Sequence, residues 1–333
     1  MSEQARTRVG VVGAGNIASI AQLPTLVKRE DVELAALVSR RPDPGPLMRR
    51  WGFGAAYGAV EEMLAAEDLD AVFVLTPRSE HAYAVEACLR RDVDVFCEKP
   101  LAPSVEEAER LVDLADQRGR ILMVDFNRRY APVYVAGRDA FGATGATFCV
   151  AQKNRPGSEY RATFENAIHM VDLLRWYCGG EAVDVTAHTA GDDPWEEDGT
   201  AAMVRFDSGA TGVLMAARTA GAWSEKLDAY GYGRTAEVRA PESVSITVDG
   251  TTTSRELSAE AYGWATATET LGFAEAVHHF LDRISDRQPP LTSGHEAVAT
   301  QRLLDQILEA AGLPTREQEG RQWASHATNT VKR

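Results

Sequence analysis

The first 125 residues repeat one pattern: a short apolar run, often β-branched, then a stretch with helical spacing, then another such run. Runs at 9–12, 32–38, 70–75, 93–96 and 121–124 alternate with helical stretches near 17–27, 60–66, 80–90 and 104–118. The stretch at 17–27 is interrupted at Pro24, and Ser104 with Glu107 three residues on has the form of a capping box. Strand-helix alternation of this kind specifies a doubly wound parallel sheet, because parallel strands need crossovers and helices supply them. Such a sheet meets its ligand at the carboxyl ends of its strands, so the residues just after each run are the ones to read for chemistry.

After the first run, Gly13, Gly15 and Ala18 give the spacing G-x-G-x-x-A. The first small residue permits a tight turn, the second lets a pyrophosphate approach the backbone, and the third lets the next helix pack on the strand. A purely steric turn is the plainer alternative. Taken as a nucleotide site, the loop makes Gly13, Gly15, Asn16 and Ile17 cofactor contacts. After the second run stand Ser39, Arg40 and Arg41, where an NAD site places a carboxylate on the ribose. Arginine favours a 2′-phosphate, so NADP is preferred over NAD. Thr76, Pro77 and His81 follow the third run and Glu98 and Lys99 the fourth, as further expected cofactor contacts. A lysine at a strand end can also sit beside a carbonyl or alcohol oxygen and stabilise charge on it.

Composition narrows the partners. At 333 residues, two domains are expected: a dinucleotide-binding domain over 1–125 and a substrate-binding and oligomerisation domain over 126–333. The net charge of −14 disfavours nucleic acid and anionic membrane. No run reaches the roughly 18 apolar residues of a membrane span, and residues 1–7 do not read as a signal peptide, so a cytoplasmic location is expected. Cys88, Cys97, Cys149 and Cys178 form no C-x-x-C pair, and reduced buried thiols are expected.

In the second half, 165–178 has helical spacing. Ala167, Val171, Leu174 and Cys178 share one face; Glu165, His169 and Asp172 share another. A carboxylate four residues from an imidazole can fix its tautomer and raise its basicity. Asp172 reads better as a hydrogen-bonding support than as a chemical group. With no second histidine or clustered cysteine nearby, no metal is expected. Strands are expected at 183–189, 201–206, 211–216, 226–230, 237–240, 244–248 and 251–257, separated by short turns such as Asp249-Gly250. They form a mostly antiparallel open sheet whose uncovered face predicts a homo-oligomer. Helices follow at 268–284 and 295–311, and the polar tail, 312–333, is expected to be the least ordered part.

The glycine loop GAGNIA, the TPRSEH segment at 76–81, EKPL at 98–101, FNRRY at 126–130, IHMVD at 168–172 and FLDRISDRQPPLTSGHEA at 280–297 together resemble the Gfo/Idh/MocA family. The resemblance implies a Rossmann domain followed by an α+β domain, and an NAD(P)-dependent oxidoreductase of sugars, cyclitols or related polyhydroxylated compounds. It implies Lys99 on the reacting oxygen, His169 as acid/base, and an aspartate four residues earlier. Here that position holds Glu165, whose extra methylene puts substrate identity in question. Asn127, Arg128, Arg129 and Arg155 become candidate substrate or cofactor contacts, and a homodimer or homotetramer through the C-terminal sheet is implied. The family also contains a dinucleotide-binding repressor without turnover and glycosidases that retain NAD, so a sensor and a glycosidase are the alternative readings.

Overall fold

The computed structural model describes residues 6–157, 161–256 and 266–315. The expected terminus of the last strand at Leu257 and most of the polar tail lie outside the described residues. The chain divides into two compact units, one drawn from 1–127 and 267–298, the other from 128–266 and 299–333.

The first unit holds a six-stranded parallel sheet of β1 (Thr7–Val12), β2 (Val32–Val38), β3 (Ala55–Tyr57), β4 (Ala71–Val74), β5 (Asp94–Cys97) and β6 (Leu122–Val124), in the order β3-β2-β1-β4-β5-β6. Order reverses at β1, the switch point where doubly wound sheets bind ligands. Its helices are α1 (Asn16–Ile20), α2 (Gln22–Leu26), α3 (Gly45–Trp51), α4 (Val60–Ala66), α5 (His81–Leu89) and α6 (Val105–Arg118). The near-continuous apolar runs are buried as parallel strands require; β4 and β5 are buried at every position. Ser104 caps α6, accepting a hydrogen bond from the Glu107 N–H at 3.2 Å.

The first helical stretch breaks at Ala21 (φ −104°, ψ −70°) and not at Pro24. Pro24 stands in the first turn of α2, where its missing N–H costs nothing. The edge strand β3 and the helix α3 escaped the sequence reading, since β3 has only three residues and both follow a Pro-rich loop.

Beyond 266 run α9 (Ala267–Thr270), α10 (Phe273–Asp286) and α11 (Gly294–Ala310), numbered after the α7 and α8 described below. A single boundary at 125/126 would put all three in the second domain. The segment 267–298 instead groups with the first unit, for a packing reason. Phe280 of α10 meets Phe73 (centroids 5.3 Å) and Phe96 (5.6 Å) edge-on, and those two rings stack at 4.8 Å. The Val124 N–H donates to the Thr292 carbonyl at 2.9 Å, extending the sheet edge.

The second unit carries α7 (Pro132–Asp139), α8 (Ile168–Cys178) and strands β7 (Phe148–Pro156), β8 (Ala182–Ala190), β9 (Gly199–Phe206), β10 (Thr211–Ala217), β11 (Thr219–Gly231), β12 (Arg234–Ala240), β13 (Ser243–Val248) and β14 (Thr251–Glu256). They form one sheet in the order β14-β13-β12-β11-β7-β10-β9-β8, antiparallel except for β7 with β10. Helices α7 and α8 lie on its inner face, against β12, β13, β7 and β10. Phe148, Met203, Met215 and Tyr230 stand on the opposite face, each more than a third exposed. The four cysteines are buried free thiols, and burial pushes the pKa of Cys88, Cys97 and Cys149 up.

Candidate functional site

In the first unit the expected residues gather at the carboxyl ends of the strands. Gly13 has φ +87°, and a Cβ there would come within 2.9 Å of the Leu75 carbonyl oxygen, so the turn after β1 demands glycine for its own backbone. Gly15 differs: a Cβ there meets nothing within 4 Å. Among the described residues its smallness serves no packing, and the open space beside it, at the switch point of the sheet, fits the close backbone approach of a pyrophosphate. Asn16 and Ile17 are exposed beside it. Ser39 is half-buried and accepts a hydrogen bond from the Arg41 N–H at 3.3 Å. Arg40 and Arg41 are exposed, and Arg40 pairs with Glu80 at 2.6 Å.

The Glu98-Lys99-Pro100 turn follows β5, with Glu98 and Lys99 half-buried and Pro100 buried. His81 is 1 % exposed, which makes it a poor cofactor contact. Its Nδ1 lies 2.7 Å from the Pro100 carbonyl and its Nε2 2.8 Å from the Thr76 carbonyl, so the ring bridges the loops after β4 and β5, donating from whichever nitrogen carries hydrogen. On the other side of Lys99, Gln22 Nε2 donates to Glu98 Oε1 at 2.9 Å and to Asp125 Oδ2 at 2.8 Å. The Lys99 N–H donates to Glu98 Oε2 at 3.2 Å. Asn127 is fully buried and donates to the Leu271 carbonyl at 2.8 Å.

In the second unit His169 sits one residue into α8 and is 7 % exposed. The turn before it, Ala162–Asn166, is a π-helix closed by Asn166 N–H to Arg161 O and Ala167 N–H to Ala162 O. Glu165, half-buried, lies in that wider turn. The i, i+4 face expected for Glu165 and His169 therefore does not have α-helical geometry. Asp172 is fully buried: Arg129 donates to it through Nε (2.9 Å) and Nη2 (2.8 Å), and Thr300 Oγ1 donates at 2.9 Å. It is a support, as expected, and the guanidinium of Arg129 is committed to it.

The neighbouring arginine of the same motif reaches a different element. Arg128 makes a bidentate pair with Glu225 of β11 (3.0 and 2.7 Å), and Lys153 of β7 lies 2.6 Å from the same carboxylate, directly opposite in the ladder. Burial alone would raise the pKa of Glu225; the charges of Arg128 and Lys153 outweigh it and hold the carboxyl well below its usual range. A third buried pair joins Arg161 to Glu197 at 3.1 Å, and Glu197 also accepts from the Thr163 N–H. Arg155 is half-buried on β7. Gln22, Lys153, Glu225 and Glu197 were not singled out from sequence. No local pattern signals the strand pair: Lys153 lies in a polar run that masks alternation, and Glu225 precedes the strand expected at 226–230. Among the described residues there is no cluster able to hold a metal ion and no helix long and apolar enough to cross a membrane.

Comparison with known proteins identifies the family. Residues 7–126 match the oxidoreductase family with the NAD-binding Rossmann fold, and residues 150–263 match the GFO/IDH/MocA C-terminal domain. YceM of Salmonella typhimurium, named as an oxidoreductase, is 29 % identical over 90 % of this chain and 96 % of its own. Inositol 2-dehydrogenase of Rhizobium meliloti is 25 % identical over 90 % of this chain and 94 % of its own. The crystal structure of an oxidoreductase from Agrobacterium radiobacter, in complex with NAD+, L-tartaric acid and magnesium, superposes with a TM-score of 0.81. It covers 92 % of this chain and 97 % of that one at 22 % identity, a likeness of fold. With the two halves of one family matched in order along more than two thirds of its length, this chain belongs to the Gfo/Idh/MocA family of NAD-binding oxidoreductases.

Proposed function

We propose that the protein transfers hydride between NADP and a secondary alcohol or ketone carbon of a sugar, cyclitol or related polyhydroxylated compound. The observation that carries the reading is the open space at Gly15, at the same carboxyl edge of the sheet as a lysine turn anchored on both sides. Gly13, Gly15, Asn16 and Ile17 hold the pyrophosphate, with the Thr76-Pro77 and Glu98-Lys99 turns along the same edge. When bound there, the dinucleotide would supply the hydride donor or acceptor. Lys99 holds the substrate oxygen and favours negative charge on it as the carbon-hydrogen bond changes hands. His169 exchanges the proton of that oxygen, with Glu165 as a further catalytic candidate in the π-turn that precedes it. Arg155 offers a further polar contact to the hydroxyls of the substrate. The exposed face with Phe148, Met203, Met215 and Tyr230 packs against a second copy, giving a homodimer or homotetramer.

The preference for NADP rests on the sequence after β2, where Ser39, Arg40 and Arg41 replace the expected carboxylate; Arg40 is paired with Glu80 and Arg41 is exposed. Calorimetric titration of the apo protein with NADPH and NADH separately tests this. Tighter NADPH binding, lost in an Arg40→Ala/Arg41→Ala double variant while NADH binding is unchanged, is the expected result. Equal loss for both cofactors, or tighter NADH binding in the unmodified protein, overturns the preference.

A further inference from the structure

We infer that Gln22 is a positioning residue for Lys99, acting through Glu98. Gln22 opens α2, is fully buried, and gives its amide nitrogen to two carboxylates that end different strands, Glu98 after β5 and Asp125 after β6. The direction of the amide is fixed by chemistry. Ionised carboxylates only accept hydrogen bonds, so the NH2 must face them and the carbonyl must turn away. That orientation leaves Gln22 Oε1 buried with no hydrogen-bond partner among the described residues. A side chain kept only to fill space would carry neither polar atom. Here one orphaned acceptor is tolerated so that both N–H groups reach carboxylates.

The arrangement matters because of what Glu98 does next. Its Oε1 is held by Gln22, and its Oε2 accepts from the main-chain N–H of Lys99. The amide therefore fixes the carboxylate that fixes the lysine backbone, while His81 holds the Pro100 carbonyl on the far side. Without the amide, Glu98 Oε1 and Asp125 Oδ2 lose the donor that joins them. Glu98 then loses the anchor that keeps its Oε2 on the Lys99 N–H.

The inference rests on the proposed role of Lys99, and the test separates the two. Gln22→Met keeps the volume and removes both donors; Gln22→Glu keeps a donor only while the new carboxyl is protonated. Displacing a reacting group by about 1 Å costs about 100-fold in rate, so Gln22→Met should lower kcat by that order with the calorimetric Kd for the nicotinamide cofactor within about threefold of the original. Gln22→Glu should recover activity as pH falls, whereas Gln22→Met should not. Lys99→Met combined with Gln22→Met should be no slower than Lys99→Met alone. A slow Lys99→Met protein beside a Gln22→Met protein of full kcat overturns the inference and leaves the role of Lys99 standing. Full activity in Lys99→Met overturns that role itself. Loss of cofactor affinity in step with kcat makes Gln22 a residue of general architecture and also overturns the inference.

Discussion

The two units hold their candidate chemical groups by different means. In the first, Lys99 lies in a loop, and loops have no hydrogen-bond ladder of their own. Its neighbours are pinned by a neutral amide and an imidazole acting on a carboxylate and a carbonyl. In the second, His169 lies on a helix whose own hydrogen bonds already set the backbone. The same unit carries buried ion pairs, Arg129 with Asp172 and Arg128 and Lys153 with Glu225, that tie the 128–129 segment to helix α8 and to strands β7 and β11. A loop needs its backbone held, whereas a helix needs only to be held against its neighbours. Buried charge does the latter strongly once formed, because breaking a pair leaves the partner uncompensated.

The largest way to break this contrast is Asp172→Ala. It removes the carboxylate paired with the buried guanidinium of Arg129 and should cost about 3–5 kcal/mol in urea unfolding. A cost near zero would mean the buried pairs do not organise the second unit. Acid is the next lever. The folded pKa of Glu225 is depressed, so its contribution to stability is fully present above the unfolded carboxylate value, near 4.3, and is lost as pH falls toward the folded value. The original protein should lose stability below about pH 4 more steeply than Glu225→Gln, measured as urea midpoints at successive pH values; parallel acid limbs would contradict this. The smallest effect belongs to the first unit. Ser104→Ala removes the cap of α6 and should cost about 1 kcal/mol with no change in the slope of the acid limb.

The same contrast explains how much could be read in the sequence. The doubly wound sheet and its strand ends were legible because parallel strands are buried on both faces and appear as unbroken apolar runs, as in Ala71–Val74. Strand β7 was not, because Gln152, Lys153, Asn154 and Arg155 follow one another and hide the alternation. Lys153 points inward only because Glu225 lies across the ladder, a pairing no local pattern encodes. The limit of β11 was set too late for the same reason, leaving Glu225 outside it. Periodicity placed His169 and Asp172 on α8, yet could not foresee the π-turn that takes Glu165 out of helical register. Gln22 gave no signal at all, since its partners lie 76 and 103 residues away.

The most direct test of the account is steady-state turnover at saturating cofactor on a panel of inositols, aldoses and their ketones, followed by the absorbance of the reduced nicotinamide. The original protein should turn over at least one such substrate. Lys99→Met should lose about 10²–10³-fold in kcat, and His169→Asn about 10²–10⁴-fold, with cofactor affinity retained in both. Near-normal turnover in Lys99→Met or His169→Asn, on any substrate the original protein oxidises or reduces, would contradict the account.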